Sequence, residues 1–210
     1  MKVKKSLGII IALTVFIALI VVVSGFSEDP FTMLGKFYMD NIEGKTDDSK
    51  VIAVVGDKNI TQQSVDIYKE SYEIVGAEKS EEEIIEKIAT DILMTKEAEK
   101  NNITVKDEEV RKTIDYQLGL MKEDTTTYQG FQNYLKGANM TEEEYVELTT
   151  PIYKRLMMKG VFKYKILKPE FEKSTNLSEE KFHNEFEDYC KEYEEELLDH
   201  AQIKYLKDDE

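Results

Sequence analysis

The chain has 210 residues and carries 43 acidic against 28 basic side chains, a net charge of −15. A surface this negative repels phosphate backbones, which excludes nucleic acid as the partner. The length holds one membrane-proximal segment and one compact domain, and the single cysteine, Cys190, excludes an internal disulfide.

Lys2, Lys4 and Lys5 are the only charges before Glu28, and between them and Ser24 runs an uncharged, proline-free stretch, Leu7 to Val23. Its 17 residues reach the lower limit for a bilayer-spanning helix. The lysines favour the cytoplasmic side, so the chain beyond Ser24 is expected outside the cytoplasm. Two readings stand: an uncleaved single-pass transmembrane anchor in the cell membrane, or a cleaved signal peptide that leaves the protein secreted. The run is long for a signal-peptide core, which favours the anchor. Residues 1–26 are accordingly the anchor or signal, 27–50 a tether and 51–210 the folded domain. Within the tether, Phe31, Leu34, Tyr38 and Ile42 recur at helical spacing, a short amphipathic helix that lies on the membrane or folds back onto the domain.

"VIAVVGDKNIT", Val51 to Thr61, reads as a strand, a tight turn at Gly56-Asp57 and the start of a helix. Helical stripes come next. Val65, Tyr68, Tyr72 and Val75 form the first, ended near Gly76. "SEEE" at Ser80 is a capping box ahead of Ile85, Ile88, Ala89 and Ile92, a helix stopping near Asn101-Asn102. Asp107 caps a third helix bearing Val110, Ile114, Leu118 and Met121. A short helix around Phe131, Tyr134 and Leu135 closes at Gly137 as a left-handed cap. "TEEE" at Thr141 opens a long pattern of Tyr145, Leu148, Ile152, Leu156 and Phe162, with a kink expected at Pro151 and an end at Pro169. The last helix starts at Ser178 and carries Phe182, Phe186, Tyr189, Tyr193 and Leu197. Four Asn-X-Ser/Thr sequences, at Asn59, Asn102, Asn139 and Asn176, read better as helix and turn boundaries than as glycosylation sites.

Only one other stretch alternates like a strand, Gln202 to Leu206, at the opposite end of the chain. A lone strand would leave its backbone groups unpaired, so "VIAVV" (51–55) is expected to pair with "QIKYL" (202–206). This arrangement resembles the chaperone domain of the SurA-like and PrsA-like extracytoplasmic foldases. "IAVVGDKNIT", "NNITVKDEEVRKTI", "GANMTEEEYVELTTPIYKRLMMKGVF" and the terminal "AQIKYL" are similar, in that order, to the family's opening strand and turn, its helix-turn-helix junction, its Glu-rich helix and its closing strand. The resemblance implies a mostly α, multi-helix domain with a small sheet joining both ends. It also implies a holding function for unfolded or newly exported polypeptides. The parvulin prolyl isomerase domain of well-known members has no room here, since only eight residues, Glu170 to Leu177, separate Pro169 from Ser178. Isomerase activity is therefore not expected.

Catalytic chemistry has few candidates. His183, Cys190 and His200 share one helix, but seven residues separate His183 from Cys190, about 10 Å of rise, and one thiol with one imidazole makes no convincing zinc site. The expectation is a protein that is not an enzyme, with no metal and no cofactor. A site for unfolded chains must be apolar yet adaptable. Met94, Met121, Tyr128, Phe131, Tyr134, Met140, Tyr153, Met157, Met158 and Phe162 are its candidates, although residues at such spacing commonly form the core. A scaffold or accessory subunit of a membrane complex is the alternative on the same fold, and self-association as a homodimer stays open.

Overall fold

A computed structural model describes residues 29–42, 50–74, 76–175 and 179–206. The expected anchor or signal, Leu7 to Val23, lies outside the described residues, as do the polar end of the tether, Val75, the Asn176 sequence and the Ser178 helix start. Among the described residues no helix is long and apolar enough to cross a membrane.

The first helix, α1 (Pro30–Ile42), is capped by Asp29, whose carboxylate accepts the Thr32 N–H at 2.8 Å and the Thr32 hydroxyl at 2.9 Å. It folds back onto α5 (Thr125–Gly137). Glycine on both sides makes that contact possible. A Cβ at Gly35 would stand 2.2 Å from the Tyr134 carbonyl oxygen, and one at Gly137 would stand 2.2 Å from the Thr32 carbonyl oxygen. Leu34 is buried beside Phe131 and Tyr134 as a result, while Phe37 is buried in the cluster formed by the sheet and the next helix.

The sheet brings together the two ends of the segment from Val51 to Leu206. β1 (Val51–Val55) pairs antiparallel with β3 (Lys204–Tyr205), Ala53 opposite Tyr205 and Val54 opposite Lys204, and the Leu206 N–H donates to the Ile52 carbonyl at 2.8 Å. The closing strand is shorter than the expected 202–206, because Gln202 takes φ 48° to turn the chain out of the last helix. A further strand, β2 (Lys58–Thr61), stands where the pattern predicts a turn leading into a helix. Gly56, at φ 59°, and Asp57 form a two-residue hairpin loop, so β1 has a local partner as well as a distant one. The order is β2-β1-β3.

The helices continue as α2 (Gln62–Ile74), α3 (Glu81–Lys100), α4 (Asp107–Glu123), α5, α6 (Glu142–Phe162), α7 (Lys168–Ser174) and α8 (Glu179–Ala201). Both capping boxes form. The Ser80 and Thr141 hydroxyls accept the Glu83 and Glu144 N–H groups at 3.2 Å, and each glutamate takes the cap N–H at 2.8 Å. Three local expectations are corrected. Asp107 is the first residue of α4 rather than its cap; Lys106 holds that position, its N–H bound by Glu109 at 3.3 Å. Gly137 does not close α5: Asn139, at φ 46°, does, with Met140 N–H to Leu135 and Asn139 N–H to Lys136. Asn102, at φ 55°, ends α3 in the same way, which accounts structurally for two of the Asn-X-Thr sequences. Finally, Pro169 does not end the long helix. A π-turn, Lys163–Leu167, carries α6 directly into α7, whose first turn tolerates the missing N–H of proline.

Two apolar clusters form the interior. One gathers α4, α5 and α6 with the end of α3, around Phe131, Tyr134, Ile152 and Phe162. The other packs the sheet against α2 and the start of α3, around Val55, Ile60, Val65 and Ile85. The α3 helix runs through both.

Candidate functional site

A cavity of 440 Å³ opens on the seam between those clusters, within the roughly 300–1,000 Å³ of ordinary ligand sites. The β1–β2 turn supplies Asp57 at its rim, and the start of β2 supplies Lys58 and Asn59. Its walls come from α2 (Ser64, Tyr68), α3 (Ile88, Asp91, Ile92, Thr95, Lys96, Glu99) and α6 (Ile152, Arg155, Leu156, Lys159). Position explains each contribution. On α6, Ile152, Arg155, Leu156 and Lys159 recur at 3, 4 and 7 residues, so one face alternates apolar and cationic groups toward α3. On α3, Ile88, Asp91, Ile92 and Thr95 answer at the same spacing.

The polar groups divide into used and unused. Lys159 is ion-paired with Asp91, each side chain about 15% exposed, and Lys87 approaches Asp91 at 3.8 Å. Lys96 ties α3 to the hairpin turn through Asp57 at 2.9 Å, holding the Asp57 carboxyl below its usual range. Thr95 returns its hydroxyl to the Asp91 carbonyl at 2.7 Å. Two donors remain. Tyr68 is 4% exposed, and its hydroxyl has no hydrogen-bond partner among the described residues; burial raises its pKa, so the phenol stays protonated. Arg155 is half-buried beside it, with no hydrogen bond or ion pair among the described residues. Burial lowers the guanidinium pKa against the opposing pull of Tyr68 and Asp91, but an arginine keeps its charge. Unsatisfied buried donors carry a desolvation cost, and here both face the same cavity.

The ten residues singled out from sequence sit elsewhere. Met94, Phe131, Tyr134, Tyr153, Met158 and Phe162 are buried in the helical core; Met121, Tyr128, Met140 and Met157 pack half-buried against it. Phe131 and Tyr134 meet Tyr145 edge-on at 4.9 and 6.1 Å, and the Tyr153 hydroxyl donates to Gln117 Oε1 at 2.5 Å. None of the ten lines the cavity. The lining residues carry one signal that a sequence can show: Arg155 is one of two arginines among 28 cations and interrupts the apolar pattern of α6. Cys190 is buried, its thiol pKa raised by burial, and His183 faces solvent near Glu187 at 3.3 Å. Among the described residues no cluster of His, Cys, Asp and Glu is arranged to hold a metal.

The described fold is a helical body closed by a small sheet, with a cavity whose donors at Tyr68 and Arg155 have no hydrogen-bond partner among the described residues. Residues 2–151, more than half of the chain, match the SurA-like N-terminal domain family. The chain belongs to that family, which is of chaperone type. The matched segment ends within α6, so the cavity draws on both the family region and the residues after it. No curated protein and no solved structure matches the chain.

Proposed function

We propose that this protein is a membrane-anchored, extracytoplasmic holdase that shields segments of unfolded, newly exported polypeptides, using neither nucleotide nor covalent chemistry. The observation that carries the reading is a cavity with apolar walls and donors unpaired among the described residues, in a chain of a chaperone-type family. Ile88, Ile92, Ile152 and Leu156 offer contacts to any apolar side chain, while Arg155 and Tyr68 offer hydrogen bonds to main-chain oxygens common to all clients. The acidic surface supports the role by keeping copies of the holdase apart. The apolar run Leu7 to Val23 is the proposed membrane anchor.

The test is suppression of aggregation. With the full chain in lipid nanodiscs, light scattering of a chemically denatured protein diluted into buffer is expected to fall at near-stoichiometric ratio. Leu156→Asp is expected to abolish the effect while circular dichroism stays unchanged. No suppression by the parent chain, with one dominant partner recovered by crosslinking, would favour a dedicated scaffold instead. Met158 is a poor position for such a test, because a charge there enters the core.

A further inference from the structure

We propose that the cavity recognises the C-terminal carboxylate of a polypeptide, with Arg155 and Tyr68 as its two donors and the isoleucine-leucine wall receiving the last side chain. The inference rests on the holding function above and specifies which part of a client enters. Three observations converge. Arg155 is a half-buried cation without a counter-ion in hydrogen-bonding range, and Tyr68 is a buried phenol without an acceptor, both among the described residues. A carboxylate has two acceptor oxygens and can take both.

Charge complementarity supports the same occupant. Lys58, Lys96, Arg155 and Lys159 line the cavity against Asp57, Asp91 and Glu99, a local excess of one positive charge in a chain of −15. Asp91 is paired with Lys159 and Asp57 with Lys96; Asp91 attracts Arg155 electrostatically but makes no ion pair or hydrogen bond with it, so the guanidinium keeps its donors for a ligand. The third argument is the wall. Ile88, Ile92, Ile152 and Leu156 line the same cavity as the donors, and within a polypeptide only a chain terminus with an apolar last residue brings a carboxylate and an apolar side chain on the same residue. An internal Asp or Glu brings the charge without the apolar group.

The full chain in nanodiscs is titrated against three fluorescent ten-residue peptides by anisotropy: one with a free C-terminal Leu, one with that terminus amidated, and one amidated with an internal Glu. The free acid is expected to bind about 10-fold more tightly than either amide, the scale of charged hydrogen bonds. Arg155→Met is expected to erase that preference, and Tyr68→Phe to reduce it. Equal binding of acid and amide overturns the proposal, as does a preference that survives Arg155→Met. Tight binding of the internal-Glu peptide shows a carboxylate site without selection for the chain end, and overturns it too. Aggregation suppression with no acid preference removes this inference alone; acid preference without suppression removes the holdase reading and leaves the site.

Discussion

Asp91 and Arg155 set the electrostatics of the cavity from opposite walls. Asp91 holds Lys159 in a largely buried ion pair, and removing one partner of such a pair leaves an uncompensated charge. Asp91→Asn is therefore expected to lower unfolding stability by about 1.5–3 kcal/mol in urea titrations, the range for a lost charged hydrogen bond. Arg155→Met removes no hydrogen bond or ion pair to the described residues and is expected to leave stability unchanged or raised. A second expectation concerns acid. The Glu83 carboxyl is pulled from its ordinary 4.5 to about 2, first by the Lys79 ammonium that donates to it and then by the Ser80 N–H and hydroxyl. A depressed carboxylate stabilises the fold above its unfolded pKa and ceases to do so as it protonates. The contribution is complete above about pH 4.5 and disappears as the pH falls toward 2. In Glu83→Gln the acid limb of the stability curve should flatten over that interval. The pattern of this box is readable in sequence because its atoms all belong to four consecutive residues. The pairing of Asp91 with Lys159 is not, because 68 positions separate them.

At the scale of elements, glycine separates the readable from the unreadable. Gly56 and Gly76 lie at positive φ, where turns are expected from sequence. Gly137 has the look of a cap by the same logic, yet it serves the approach of α1, a contact between distant segments that no local rule encodes. The difference is testable by sign. Gly137→Ala and Gly35→Ala should each destabilise the protein by about 1–3 kcal/mol, since the new methyl meets backbone and α1 must shift. In contrast, Gly119→Ala in α4 and Gly160→Ala in α6 have nothing within 4 Å of the added carbon and should stabilise it by about 0.5–1 kcal/mol. Urea midpoints of the four variants decide the matter. The stripes of α2 to α6 are legible for the opposite reason: burial of one face imposes a period that survives in a single sequence. β2 is legible in principle, through its two-residue Gly-Asp loop, but "KNIT" lacks the apolar alternation that marks a strand.

For the whole molecule, the joined ends are the feature that sequence reasoning reaches furthest. Pairing of β1 with β3 follows from counting unpaired backbone groups, and it forms at Ala53 and Val54. Its weight is smaller than a two-stranded sheet would have, because β2 also holds β1. A chain ending at Ala201 is thus expected to fold with stability lower by about 1–3 kcal/mol, a few hydrogen bonds and the contacts of Ile203. The cavity is hidden from the sequence because its walls come from three helices and its rim from the hairpin, and its polar groups look like ordinary surface charges. The large aromatic and methionine side chains draw attention instead, and packing claims most of them. The central claim, that unfolded polypeptide is held on the seam of α2, α3 and α6, is tested most directly by site-specific photocrosslinking. A benzophenone side chain placed at Ile92 or Leu156 should give adducts with a denatured client, while one at exposed Tyr116 on α4 should give few. Adducts from Tyr116 with none from Ile92 or Leu156 would contradict the account.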